Sequence, residues 1–113
     1  MDLETRRRWG DNQVRGTFSS SGTDTAKIPA KTDGRNAVKY HVMLDEIYLT
    51  GTTAASSVRP QSATVTGPLM FCEDHDTERF TGPVRFGDGE SVDVVYSGVG
   101  EYWLTWHYES KGN

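Results

Sequence analysis

The 113-residue sequence predicts an all-β protein, an antiparallel sandwich or barrel, on three observations. Over residues 101–109, Tyr102, Leu104, Trp106 and Tyr108 fall on one strand face, and Trp103, Thr105, His107 and Glu109 on the other. One apolar and one wetter face mark an antiparallel sheet rather than a parallel sheet buried on both sides. About nine short β-prone segments are separated by glycine, proline and aspartate turn signals. The longest of them, residues 37–50, is rich in β-branched and aromatic residues and lacks an i, i+3, i+4 apolar stripe.

In chain order, residues 1–13 read as an N-terminal arm, extended or partly helical. Leu3 and Trp9 are its only apolar anchors, and Asp2 is a weak N-cap before Leu3. The body is then residues 14–113. Strands are expected over Val14–Phe18 and Asp24–Ile28, the second ended by Pro29, with a turn at Asp33-Gly34. In residues 37–50, Val38, Tyr40, Val42 and Leu44 share a face, and Ile47 and Leu49 resume the pattern one residue out of phase. A β-bulge at Asp45-Glu46, or a bend between two strands there, explains the change of parity. The small residues 51–57 read as a loop, or as a strand with tiny side chains. Further strands are expected over Ser62–Thr66, Leu69–Cys72, Phe80–Phe86 and Ser91–Tyr96, with residues 73–78 as an acidic loop. Gly87-Asp88-Gly89 and Gly98-Val99-Gly100 read as hairpin turns.

Composition bounds the function. Apolar residues make up 35% of the chain, below the usual share of about 45–50% counted with glycine, so a partner or sister subunit is expected to add stability. The net charge of −4 divides into +3 over residues 1–40 and −7 over residues 41–113. A basic arm beside an acidic body suits docking or head-to-tail packing. The single cysteine, Cys72, excludes an intrachain disulfide, suits a reducing cytoplasm and is expected to be a small buried residue. No apolar run follows the charges of Met1–Arg8, so no secretory signal is expected, and no stretch approaches transmembrane length.

No catalytic, cofactor or metal pattern stands out, and a non-enzymatic protein is expected. Cys72 and His75 lack two further nearby ligands for zinc. The Glu73, Asp74, Asp76 and Glu78 cluster does not have calcium-loop spacing and reads as solvated. The glycine pairs open no helix, so no phosphate cradle is expected. Arginine and tryptophan are both enriched at interface hot spots, so Leu3, Arg6, Arg7, Arg8 and Trp9 are the candidate partner-binding residues. Flanking acids argue against nucleic acid. Trp103 faces away from the apolar stripe, and Trp103, Thr105 and His107 are the candidate contact to a sister subunit or another partner.

The order of Thr23-Asp-Thr-Ala-Lys-Ile-Pro-Ala, Ala37-Val-Lys-Tyr-His-Val-Met-Leu-Asp-Glu-Ile-Tyr-Leu-Thr, Phe80-Thr-Gly-Pro-Val, Gly87-Asp-Gly-Glu-Ser-Val and Gly98-Val-Gly-Glu-Tyr-Trp-Leu resembles the small jelly-roll domains of tailed-phage virions. These are capsid decoration or cement proteins and head fibres, themselves similar to tumour-necrosis-factor-like trimers. The resemblance spans roughly residues 22–109. It implies an antiparallel jelly-roll β-sandwich, a homotrimer, attachment to a major capsid protein or other virion protein, and no catalysis or cofactor. It further implies that Gly82-Pro83 is the turn into the strand before the glycine hairpin, and that Tyr102, Leu104, Trp106 and Tyr108 form the closing inward strand. The virion would be the location, after synthesis in the host cytoplasm. Two rival functions fit the same residues. One is a carbohydrate-binding, lectin-like module using Trp103 and the acidic loop. The other is a small phage-encoded inhibitor of a host enzyme acting through the acidic face.

Overall fold

The computed structural model describes residues 12–33 and 38–110. Seven strands are present: β1 (Gln13–Phe18), β2 (Gly22–Ile28), β3 (Thr32–Asp33), β4 (Val38–Gln61), β5 (Met70–Cys72), β6 (Thr77–Arg85) and β7 (Val92–Ser110). Every pairing is antiparallel, and there is no helix among the described residues. The sheet is nearly closed into a barrel. The arm anchors Leu3, Arg6, Arg7, Arg8 and Trp9 lie outside the described residues. β1 begins at Gln13, and the Asn12 carbonyl accepts a hydrogen bond from Trp106 N–H at 3.0 Å, so the sheet starts at the edge of the expected arm.

Two long strands form the frame. β4 and β7 pair from Tyr40↔Ser110 to Gln61↔Asp93. Around their N- and C-terminal halves respectively the strand order is β1–β7–β4–β6, and around the remaining halves it is β2–β7–β4–β5. The molecule measures 47 × 33 × 18 Å, and each of these four-strand orders is one layer of the curved sheet. β3 pairs only with the start of β4.

Alternation fills the inside of the nearly closed sheet. Leu44 opposes Trp106, Ile47 opposes Leu104, Leu49 opposes Tyr102, Val58 opposes Tyr96 and Pro60 opposes Val94. Of these pairs, Leu44, Ile47, Leu49, Val58, Leu104, Tyr102, Trp106 and Val94 are buried, and Ile28, Phe86, Val92 and Cys72 join them in one core. Phe18 brings β1 into the same cluster, its ring 4.8 Å from that of Tyr96 and 6.3 Å from that of Tyr102. The expected bulge is present: between Leu44 and Glu46 the register shifts, leaving Asp45 as the extra residue against β7, while on β6 the two residues Gly82 and Pro83 face the one Asp45. That insertion keeps Leu44 and Ile47 on one face although they are three residues apart.

Three local expectations are corrected. Residues 98–100 are not a hairpin turn but the middle of β7; residues 51–57, expected as a loop or a strand of small side chains, are strand within β4. Here Gly51 opposes Gly100 and Ser56 opposes Gly98, so β4 carries three extra residues in a wide irregularity. Gly98 has φ +93°, and a Cβ on it would lie 2.0 Å from the Ala55 carbonyl oxygen. A Cβ on Gly100 would lie 2.6 Å from the Thr50 oxygen. The glycines admit close backbone approach where the ladder curves from one layer into the other, rather than reversing the chain. Residues 62–66 are not a strand. Ser62 N–H bonds to Val65 O at 2.8 Å and a single bridge joins Gln61 to Thr66, so the segment is a turn between β4 and β5. Gly82-Pro83 is inside β6, opposite the Asp45 bulge, rather than at its entrance.

Candidate functional site

The outward face of the β1–β7–β4–β6 layer carries an ordered grid of side chains. Register aligns Arg15, Trp103, Tyr48 and Arg79 as one row across the four strands. The row on one side is Thr17, Glu101, Thr50 and Thr77, and on the other Gln13, Thr105, Glu46 and Thr81. Parity alone puts them there: residues 101, 103 and 105 are the odd positions of the strand whose even positions form the core.

The central row is a cation–aromatic ladder. The Arg15 guanidinium carbon lies 5.7 Å from the Trp103 ring centroid, and that of Arg79 lies 5.4 Å from the Tyr48 ring centroid. Both distances are within cation–π range. Each arginine is also tied diagonally to a carboxylate. Arg15 Nε donates to Glu101 Oε2 at 2.9 Å, its Nη2 contacts the same oxygen, and Arg79 Nη2 pairs with Glu46 Oε2. The hydrogen bond and charge of Glu46 raise the Arg79 pKa. The row therefore presents two arginines and two glutamates around two aromatic rings, with its charges balanced. Tyr48, Thr50, Glu101 and Trp103 line a shallow depression of about 130 Å³.

Of the three contact residues expected on this strand, Trp103 is 44% exposed and available to a partner. Thr105 is 4% exposed, enclosed between Gln13 and Glu46 in its row. His107 is held by carboxylates on both ring nitrogens: Nδ1 lies 2.9 Å from Asp45 Oδ2, and Nε2 lies 2.9 Å from Glu109 Oε2. A neutral imidazole has one N–H, so only the imidazolium donates to both. Burial lowers the His107 pKa, but the hydrogen bonds to Asp45 and then Glu109, with their charges, outweigh it and hold the pKa above the usual histidine value.

A proton titration of His107 followed by NMR is expected to show a midpoint above 6.5, and both Asp45→Asn and Glu109→Gln should lower it. A folded pKa above the unfolded one stabilises the fold fully below about pH 6.5, and the contribution is lost as pH rises through the folded value. The group is partly exposed, so the stability change should be small. A His107 midpoint at or below 6.5 would contradict the doubly bonded geometry.

The other outward face, on the β2–β7–β4–β5 layer, is different in chemistry. Leu69 and Phe71 are 57% and 56% exposed. Phe71 opposes Ser57, which opposes Ser97, giving a flat floor of small residues beside the phenyl ring. Sequence patterning did not single out this face, because Leu69–Cys72 reads as an ordinary short strand; its alternation sends Met70 and Cys72 inward and Phe71 outward.

The remaining candidates have structural surroundings. Cys72 is buried: Gly51 N–H bonds to its Sγ at 3.1 Å, and the thiol reaches Asp76 O at 3.1 Å. It ties the turn at 73–76 to the curved part of β4. Glu73, Asp74, His75 and Asp76 are exposed, and no group of three potential metal ligands occurs among the described residues. His41 is buried with Nδ1 2.6 Å from Phe86 O. The chain matches no family model and no curated protein.

Proposed function

We propose that this chain is a jelly-roll structural protein of a virion, a capsid decoration or cement protein that binds and stabilises a tailed-phage head without catalysis. The observation that carries the reading is the order of strand pairing. Divide β4 and β7 at their glycine-rich curves and number the resulting strands, β3 aside, from one to eight. One layer then runs 1-8-3-6 and the other 2-7-4-5. Nested antiparallel pairing of eight strands in two four-stranded layers is the jelly-roll arrangement, an architecture used by viral capsid proteins among others. The virion assignment itself rests on the sequence resemblance carried by residues 22–109, since a fold hosts many functions.

In this reading the two outward faces and the arm divide the work. Leu69 and Phe71 supply the apolar area for sister subunits in a homotrimer. Leu3, Arg6, Arg7, Arg8 and Trp9 supply the attachment to the major capsid protein or another virion protein. Light scattering of the purified protein is expected to give three times the 12.6 kDa chain mass. Leu69→Glu with Phe71→Glu should return the monomer, because two charges would be buried unpaired. Deleting residues 1–11, which spares Asn12 and all of β1, should abolish binding to phage heads while leaving the melting temperature unchanged. A wild-type monomer would remove the trimer, and undiminished decoration by the truncated chain would remove the arm attachment.

A further inference from the structure

We infer that the Arg15–Trp103–Tyr48–Arg79 face is a binding site for a neutral sugar ring. Trp103 and Tyr48 are direct cross-strand neighbours, so paired strands rather than a mobile loop fix their places on the face. Flat aromatic surface held rigidly on a strand suits stacking by the C–H face of a pyranose, which is apolar on its ring face and hydroxylated around its rim. The depression between Tyr48, Thr50, Glu101 and Trp103, about 130 Å³, corresponds to the liquid volume of roughly four waters. It seats one edge of a six-membered ring and leaves the other open to solvent, as a terminal residue or one unit of a longer chain requires.

The polar groups around the platform are of the matching kind. Glu101 uses one oxygen, Oε2, for Arg15, and its Oε1 has no partner among the described residues. That oxygen accepts a sugar hydroxyl. The Thr50 hydroxyl, 3.5 Å from that of Thr77, is able to donate to or accept from a sugar hydroxyl. The ion pairs Arg15–Glu101 and Arg79–Glu46 balance the charge of the row. With both glutamates neutralised by arginines, the platform offers a neutral sugar stacking and hydroxyl contacts without an unpaired charge to desolvate. The side chains of Glu101 and Glu46 are also pinned before any ligand arrives, which reduces the ordering cost of binding.

The site is on the opposite outward face from Leu69 and Phe71, on the β1–β7–β4–β6 layer. A molecule docked through the apolar layer would therefore turn this platform toward solvent. The inference does not rest on the virion reading, and a failure of one leaves the other standing.

The test is a printed array of neutral, sialylated and phosphorylated glycans probed with the full chain, followed by titration of the best neutral hit as its methyl glycoside. Neutral glycans are expected to be bound above background. The Trp103 indole N–H resonance should shift on titration. Trp103→Ala should weaken binding by at least about tenfold, Trp103→Phe should keep most of it, and Phe71→Ser, on the other layer, should leave it unchanged. Equal melting temperatures of Trp103→Ala and Trp103→Phe would show that the platform and not the fold was lost. No neutral glycan above background, binding of acidic glycans alone, or binding that survives Trp103→Ala would each overturn the assignment.

Discussion

Leu104→Ala is expected to destabilise the protein by about 2–5 kcal/mol, while Trp103→Ala, one residue earlier in the same strand, should change stability by about 1 kcal/mol or less. Leu104 is 0% exposed and lies directly opposite Ile47 in the shared core. Truncation there removes buried methyl groups and leaves a cavity between two layers pinned by long paired strands, so the walls can relax only in part. In a domain of this size the loss should lower the melting temperature by more than about 10 °C. Trp103 projects to the opposite side, and its partners are the exposed Arg15 and the neighbouring Tyr48. Thermal unfolding of the two variants side by side checks the alternation of β7. Similar losses would mean that the two faces are not divided as described.

Gly98→Ala is expected to cost about 2–4 kcal/mol, through backbone strain and a collision with rigid atoms. Gly98 has φ +93°, where an L side chain is strained. Its Cβ would also fall on the Ala55 carbonyl oxygen and 2.9 Å from Ser56 Cα, both backbone atoms. No side chain can swing away to make room. Ser97→Ala, at an exposed adjacent position whose Oγ meets that of Ser21 at 2.9 Å, should cost well under 1 kcal/mol. Urea titration of both proteins separates the effects. Wild-type stability in Gly98→Ala would mean that the sheet does not curve at this residue.

Much of the fold is legible in single residues. The change of parity between Leu44 and Ile47 forces a bulge if both are to be buried, and Asp45 is the residue left over. The even positions from Tyr102 to Trp106 are core because a period of two with large apolar groups has one economical placement. The glycines were misread because the same residue serves two needs. Gly87-Asp88-Gly89 does lie in a turn after β6, while Gly98 and Gly100 let two strands approach within β7. Sequence shows that glycine is required at such places but not which neighbouring backbone requires it.

The site was legible only in part. Trp103 is named by parity alone. Its row-mates Arg15, Tyr48 and Arg79 come from three other strands, 24 to 88 residues away along the chain, and only the register of β1, β4 and β6 aligns them. The exposed pair Leu69 and Phe71 likewise looks like core until the alternation of β5 is tied to Val58 and Ser56. The sequence by itself determined the all-β class, the inward and outward residues over 40–49 and 102–106 and the place of the change in parity, because side-chain direction in a strand is a local property with a period of two. Only the tertiary structure decided that β4 and β7 each pass through both layers, and that two arginines, a tryptophan and a tyrosine form one row. Strand register is settled by long-range pairing and by a core that must close on both sides at once, and no local pattern encodes it.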